Sequence, residues 1–200
     1  MLKSTIQGLT ALVLATSALA APAITPNADD IVVRVKKNAG GLDVYAELTV
    51  PATREKTWEV LVDYDRMDEI LSTVDDSRIV KQQGNQMEVV QTSHLGFGPF
   101  RISLHNKRRG ELTPQQEIRS HLIEGDLQAS DFTTRLVEEG ALVRVTWRGR
   151  MVPGPLAGLA VTAATVEAEL RRLCRELRAE ILHRGAGGTS PACRLARTCE

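Results

Sequence analysis

The feature that most constrains the fold is a long periodic run near the end of the chain, residues 156–183. Pro153-Gly154-Pro155 precedes the run and Gly185 follows it, a pattern typical of a helix start and a helix stop. In its second half, apolar residues recur at steps of three and four, at Leu170, Leu173, Leu177 and Ile181. This spacing predicts an amphipathic helix with one apolar stripe.

The first part of the run, residues 156–164, is apolar on nearly every side and consists mostly of small residues. A helix with such an end lies across a hydrophobic surface and leaves room beneath its small residues. We therefore expect the upstream chain to form a sheet that packs against this helix.

The upstream chain is dominated by strand patterns. Residues 31–35 and 42–50 are joined by Asn38-Ala39-Gly40-Gly41, which predicts a hairpin. Pro51 ends the second strand, and Thr53 is a candidate N-cap for the first of two short helices. Turn signals then separate six further runs, which predict an antiparallel meander: residues 78–82, 86–94, 100–108, 115–123, 131–137 and 142–152. The predicted class is α+β, with a curved antiparallel sheet, two short helices after the first strands and a long C-terminal helix.

Residues 1–20 have the order of a secretory signal peptide. Lys3 supplies the positive start, residues 6–14 the apolar centre and Ala18-Leu19-Ala20 the cleavage site. We expect cleavage near Ala20 and an exported protein, periplasmic or secreted, with a retained N-terminal anchor as the alternative. We expect residues 21–30 to form a leader, residues 31–184 one domain and residues 185–200 a flexible tail.

Export would place the three cysteines in an oxidising compartment. Cys193 and Cys199 lie in the tail, and we expect them to form a disulfide, with two free thiols as the alternative. Cys174 lies beside the apolar stripe of the predicted helix, which favours a small buried side chain over a reactive thiol.

Charge and histidine spacing narrow the classes of function. The chain has 25 basic and 25 acidic residues, so no basic excess indicates a nucleic acid partner. The four histidines lack the spacing of zinc ligands, and we expect neither a metal nor a cofactor. His94 and His105 flank one turn and could approach each other across its hairpin.

Three motifs resemble the START-like superfamily, in its branch of polyketide cyclase/dehydrase and lipid-transport domains, which includes coenzyme Q-binding proteins. They are Val50-Pro51-Ala52 with the run Thr57-Trp58-Glu59-Val60-Leu61-Val62-Asp63-Tyr64-Asp65-Arg66-Met67, then Ile123-Glu124-Gly125-Asp126-Leu127, and Val143-Arg144-Val145-Thr146-Trp147. The resemblance extends over roughly residues 30–184. It implies a helix-grip fold, a curved antiparallel sheet wrapped around a C-terminal helix, but not one function, because the fold supports several.

The chain departs from these relatives at two positions. They often carry a large aromatic residue where this chain has Thr134, and an aliphatic residue where it has Gly149. Both differences remove volume between sheet and helix. We expect a roomy cavity there, unless Phe132 or Trp147 fills the space.

The apolar residues facing one another across this space predict a ligand cavity, with a solid core as the alternative. A mostly apolar cavity with few polar groups is typical of sites for a lipid, a quinone or an isoprenoid-like molecule. Phe97, between Gly96 and Gly98, is a candidate mobile lid. The predicted lining residues are Phe97, Phe100, Ile102, Leu104, Phe132, Thr134, Leu136, Val145, Trp147, Leu159, Ala163, Val166 and Leu170.

Two groups of polar residues are candidates for chemistry. Asp63, Tyr64 and Asp65 follow Trp58, and the expectation is structural: the tryptophan packs under the sheet and the aspartates cap a break between helices. Glu117, Arg119 and His121 share one face of a strand. They are inert if that face meets solvent and suited to proton transfer if it faces inward; the outward orientation is the expected one.

The leading prediction is an exported carrier or binding protein for a hydrophobic small molecule, without catalysis. Its partners would be that ligand and, during ligand exchange, a membrane surface. The alternatives are a cyclase-like or hydrolytic enzyme using polar groups on the cavity wall, and an interaction module with a vestigial cavity.

Overall fold

The alternating and periodic runs of the sequence form strands and helices in the computed structural model, which describes residues 31–97, 100–155, 158 and 161–187. The described strands, in chain order, are β1 (Ile31–Asn38), β2 (Gly41–Val50), β3 (Val74–Gln83), β4 (Gln86–Phe97), β5 (Phe100–Thr113), β6 (Glu117–Gly125), β7 (Leu127–Glu139) and β8 (Leu142–Pro153). The described α-helices are α1 (Arg54–Leu61), α2 (Met67–Ile70) and α3 (Ala163–Gly185), with a short 3₁₀ turn at Tyr64–Arg66.

These strands form one antiparallel sheet in the order β1-β2-β8-β7-β6-β5-β4-β3. The predicted hairpin is β1–β2, and the six further runs are β3 to β8; each is longer than expected except β6, which has the expected length and begins two residues later. The curved sheet wraps around α3, so the predicted α+β helix-grip fold is confirmed.

Helix α1 begins as the sequence predicts. The Thr53 side chain accepts a hydrogen bond from the Lys56 backbone N–H at 3.2 Å and so caps the helix. The Trp58 side chain is partly buried against the main core.

The expected start of the long helix near residue 156 is wrong, because α3 begins at Ala163. The chain first makes a turn in which the Gly158 N–H donates to the Gly154 carbonyl at 2.8 Å. Thr162 then caps the helix: its side chain accepts from the Thr165 N–H, and the Thr165 hydroxyl accepts from the Thr162 N–H. This reciprocal cap places the first helical residue at Ala163, seven residues after the start near residue 156 that Pro153-Gly154-Pro155 indicates.

The main core lies between the sheet, α1 and the C-terminal half of α3. Leu48, Val50, Val143 and Val145 on the strands pack with Leu177 and Ile181 on the helix. The stripe predicted for the helix therefore faces the sheet, and Cys174 beside it is completely buried.

Several sequence predictions lie outside the described residues: the signal peptide, the leader and the Cys193–Cys199 pair. Within the described part of the chain, no helix combines the length and the apolar character needed to cross a membrane.

Candidate functional site

A cavity of about 250 Å³ lies under the concave face of the sheet. Strands β4 to β8 form its roof, the C-terminal half of α3 one wall, and the chain between α1 and β3 another. We call residues 63–72 the covering segment. The residues that line the cavity are Leu61, Tyr64, Met67, Leu71, Met87, Val89, Gln91, Arg108, Gly110, Ile118, Ser120, Phe132, Thr134, Trp147, Leu173 and Leu177.

Arg108 is the one charged group among these described lining residues. Its Nε donates to the Ser120 Oγ at 2.7 Å, its Nη1 to the Ser130 Oγ at 3.0 Å and its Nη2 to the Ser130 carbonyl at 3.4 Å. The guanidinium also lies 5.9 Å from the centre of the Phe132 ring. A guanidinium has five N–H donors, so two of them remain for a ligand.

Alternation along β5 explains why an arginine faces inward, because Arg108 lies four residues after the buried Leu104. The shift in the β5–β6 ladder beside Arg108 leaves Ile123 of β6 unpaired and does not interrupt the alternation of β5. Lys107 faces outward and its Nζ lies 2.8 Å from a Glu88 carboxylate oxygen. Arg108 continues the inward face that also carries Leu104, and this places a cation on the apolar side of the sheet.

The cavity holds this cation without a carboxylate. Burial lowers the pKa of Arg108, because the charged form is desolvated; the nearby Tyr64 and Asp131 oppose the shift. No Asp or Glu belongs to the described lining set. The partners that Arg108 does have are neutral hydroxyl and carbonyl oxygens, so its charge is left for an anionic or strongly accepting group to balance.

The other polar groups of the cavity are hydroxyls and an amide. Burial raises the pKa of Tyr64, so its hydroxyl stays protonated at physiological pH and can donate a hydrogen bond. The Gln91 amide donates to the Ser77 hydroxyl at 3.3 Å, which orients its carbonyl oxygen. Ser120 and Thr134 add two further hydroxyl groups to the wall.

The structure places three of the thirteen predicted lining residues in this cavity: Phe132, Thr134 and Trp147. Leu136 and Val145 lie in the main core. A second apolar cluster contains five more, packed with Leu42, Val44 and Val161: Ile102, Leu104, Ala163, Val166 and Leu170. Leu159 and the side chains of Phe97 and Phe100 lie outside the described part.

The two positions expected to leave space behave differently. Thr134 is 7% exposed and borders the cavity. Gly149 faces the same side, but a Cβ at Gly149 would lie only 2.2 Å from the Asp131 carbonyl oxygen and 2.6 Å from the Phe132 ring. Phe132 therefore fills the space at Gly149, which was one of the two outcomes expected from the sequence.

The polar trio on β6 faces solvent, so the expected outward orientation is confirmed. Ile118 and Leu122 are buried on the opposite face. Glu117 lies 2.6 Å from both Arg135 and Arg119, and these hydrogen bonds and charges, led by the bond from Arg135, hold its pKa below the usual range.

The acidic residues near Trp58 have structural contacts, but not the expected helix caps, because neither the 3₁₀ turn nor α2 begins with a side-chain cap hydrogen bond. Asp63 pairs with Arg66 and with Arg184 on α3, both at 2.8 Å. The Asp65 carboxylate accepts from the Ile79 N–H of edge strand β3 at 2.7 Å. Between them, Tyr64 lines the cavity, a role that the sequence analysis did not assign.

The two histidines beside the β4–β5 turn do not pair with each other. His94 lies 3.0 Å from Asp75, and His105 lies 3.3 Å from Asp126. Within the described residues, no group of three potential ligands could hold a metal ion.

Arg108 could have been found from the sequence. The alternation that puts Ile102 and Leu104 on one face of β5 continues through residue 106 to residue 108. A charged residue on the apolar face of a strand is the signal that the sequence analysis missed.

Comparison with known proteins agrees with this architecture. Residues 42–181 match the model of the family described as polyketide cyclase/dehydrase and lipid transport. No curated protein matches the chain.

Several solved structures share the fold. The Zhui aromatase/cyclase from a Streptomyces species has 18% identity, with 74% of this chain and 98% of that chain covered and a TM-score of 0.62. A STAR-related lipid transfer protein from Xanthomonas axonopodis has 17% identity, coverage of 79% and 97%, and a TM-score of 0.60. A START superfamily protein from Mycobacterium smegmatis has 15% identity, coverage of 71% and 98%, and a TM-score of 0.56.

Proposed function

Because this chain belongs to the polyketide cyclase/dehydrase and lipid transport family, we propose that it binds a compact hydrophobic molecule with an acceptor-rich polar end. The family includes proteins that bind hydrophobic ligands and polyketide cyclases. The observation that carries the proposal is Arg108, a cation without a carboxylate partner in the described chain that lines an otherwise mostly apolar cavity.

The size and lining of the cavity limit the classes of ligand that it can hold. A volume of about 250 Å³ lies just below the roughly 300–1,000 Å³ range of small-molecule sites, which favours a ring system or a short chain over a long acyl chain. Arg108 and Tyr64 both donate hydrogen bonds, so the polar end of the ligand would carry carbonyl or carboxylate oxygens. A quinone ring or a short carboxylic acid has this character.

The same lining favours binding over catalysis. Proton abstraction needs a base, and the described lining residues include no carboxylate and no imidazole. Tyr64 would have to take that role, and its raised pKa makes the tyrosinate rare near neutral pH. A cyclase-type reaction is the second candidate, because Tyr64 and Arg108 together could stabilise a developing enolate oxygen.

The proposed setting is outside the cytoplasm, after cleavage near Ala20, where the protein would carry its ligand to or from a membrane surface. The support is the order of charge, apolar centre and small residues over residues 1–20. N-terminal sequencing of the exported protein should begin near Ala21, and an intact Met1 in a membrane fraction would contradict export.

Native mass spectrometry of the protein purified from an exporting host tests the binding proposal. We expect a mass increase from one small molecule, lost on denaturation and absent from an Arg108→Met variant. A wild-type protein that carries no molecule and takes up neither a short-tailed quinone nor a short-chain fatty acid would refute the proposal. Conversion of an added poly-β-ketone substrate would instead support the cyclase.

A further inference from the structure

The concave face of the sheet is arranged in layers along its strands, and the cavity is the middle layer. On β8, the inward residues run from Val145 in the main core to Trp147 in the cavity wall and then to Met151, which packs against the second apolar cluster. Helix α3 follows the same order, since Leu173 borders the cavity and Leu170, one turn earlier, packs against the second cluster. The cavity therefore lies between two apolar regions.

Phe132 stands at the boundary between the cavity and the second apolar cluster. Among the described residues, it is the one side chain that both lines the cavity and packs against that cluster. Phe132 is paired with Gly149 on the neighbouring strand, and its ring lies where a side chain at Gly149 would be, 2.6 Å from the position of a Cβ. The missing side chain at Gly149 thus leaves room for an aromatic ring between the two layers.

The cation of the cavity lies at the same level as this ring. The Arg108 guanidinium is 5.9 Å from the centre of the Phe132 ring. It is held by Ser120, which is paired with Phe132, and by Ser130, two residues before Phe132 on β7. A polar group bound at Arg108 therefore sits beside the boundary, and its apolar tail has two possible directions. With the ring in place, the tail extends into the cavity.

The second cluster has apolar surface that a tail would otherwise reach. Leu104 and Val166 are buried within it, whereas Ile102, Met151 and Leu170 remain partly exposed. Contact between such side chains and an apolar chain removes both from water and is favourable. A barrier between Arg108 and this surface therefore limits the set of ligands.

We propose that Phe132 is a specificity-determining residue, which confines the tail of the ligand to the cavity and so selects short amphiphiles over long-chain ones. This inference rests on the function proposed for the cavity and adds the residue that sets the length of the ligand. The ring acts as a partition. A small residue at position 132 would join the cavity to the second cluster and admit longer tails.

A series of saturated fatty acids, from hexanoate to palmitate, tests the proposal by calorimetric titration of the full-length protein. In the wild type, affinity should rise about fourfold with each methylene that becomes buried, and should stop rising once the cavity is filled. In Phe132→Ala, the rise should continue to longer acids. Phe132→Leu removes less of the partition and should give an intermediate profile, and it replaces Phe132→Ala if that variant does not fold.

Met151→Ala shows where the longer tail goes. In the wild-type background it should leave the chain-length profile unchanged, because a tail confined by Phe132 does not reach Met151. In the Phe132→Ala background it should weaken the binding of the long acids several-fold and leave that of the short acids unchanged. Thermal melting of each variant separates these effects from loss of the folded state.

The outcomes distinguish this inference from the function on which it rests. A wild-type protein that binds short acids, with the same chain-length profile in the Phe132 variants, would overturn the role of Phe132 and leave the proposed function standing. A longer profile in Phe132→Ala that Met151→Ala does not alter would also overturn it, since the tail would then lie elsewhere. A folded wild-type protein that binds no member of the series would refute both.

Discussion

Glu176 on α3 accepts two hydrogen bonds from Ser72, one from the backbone N–H at 3.0 Å and one from the hydroxyl at 2.5 Å. At the other end of the covering segment, Asp63 pairs with Arg184 of the same helix at 2.8 Å. The segment that supplies Tyr64, Met67 and Leu71 to the cavity is thus held to α3 at both ends. A ligand that passes under this segment requires at least one of these connections to open.

Glu176→Ala should therefore loosen the segment with little loss of stability. The hydrogen bonds are exposed and water can replace them, so we expect the free energy of unfolding to fall by only about 1 kcal/mol. Backbone amides of residues 63–72 should exchange hydrogen faster, and a bound fluorescent probe such as anilinonaphthalene sulfonate should dissociate several-fold faster. Glu167→Ala, which removes an ion pair within α3 to Arg171, should change neither rate. Equal rates in both variants would show that the segment does not control access.

Arg108→Met should separate ligand recognition from folding. Methionine keeps much of the side-chain length and removes a desolvated charge that has no carboxylate partner, so stability should be unchanged or rise by about 1 kcal/mol. Affinity for the anionic probe should fall by about tenfold or more, because the remaining donors are neutral hydroxyls and an amide. Thermal melting and probe titration measure the two effects.

The neighbouring Arg109→Met controls for charge, since Arg109 is exposed on the outer face of the sheet. It should leave probe affinity in the cavity unchanged. If Arg108→Met retains full affinity for the probe, Arg108 does not contact the ligand.

Filling the cavity should displace a ligand without overpacking the core. Thr134→Phe directs a ring into the 250 Å³ space, so we expect its melting temperature to remain near that of the wild type while probe binding is lost. Val145→Phe introduces the same ring at a fully buried position in the main core. There it should destabilise by about 1–3 kcal/mol. Similar destabilisation in both variants would show that the space at Thr134 cannot accept a side chain.

Cys174 should make stability depend on alkaline pH. Burial raises its pKa from 9.0 to about 12, so the folded protein retains the thiol proton where the unfolded chain loses it. The corresponding stability is complete below pH 9 and is lost as the pH rises toward 12, by up to about 4 kcal/mol for a shift of this size. Denaturant titrations from pH 8 to pH 11 should show a smaller decline in Cys174→Ala than in the wild type. Rapid labelling of Cys174 by a thiol reagent at pH 8 would contradict its burial.

The strands and the helix stripe could be predicted because they depend on local alternation and spacing. Leu177 and Ile181 face the core for the reason that the sequence indicates, namely their positions on one side of a helix. The start of α3 could not be placed by the same reasoning. Pro153-Gly154-Pro155 suggested residue 156, whereas the reciprocal hydrogen bonds of Thr162 and Thr165 set the first turn.

The candidate site was predicted only in part, because its position depends on which helix residues oppose which strand. Leu173 and Leu177 border the cavity, while Ala163 and Val166 pack in the second apolar cluster. The sequence analysis placed the cavity beneath the small residues at the start of the run, and this prediction assumed that the helix includes the segment before Thr162. Helix α3 begins only after Thr162. Tyr64 was assigned no role, since only the tertiary fold brings the 3₁₀ turn beneath β5.

The placement of Trp147 in the cavity wall also supplies a spectroscopic reporter. The chain has two tryptophans, and the other, Trp58, packs against the main core outside the cavity lining. A Trp58→Phe protein would therefore contain a single indole, and its emission would shift when a molecule replaces solvent beside the ring. Occupancy could then be followed in the unlabelled protein, and a quinone would be recognised directly by its quenching of this fluorescence.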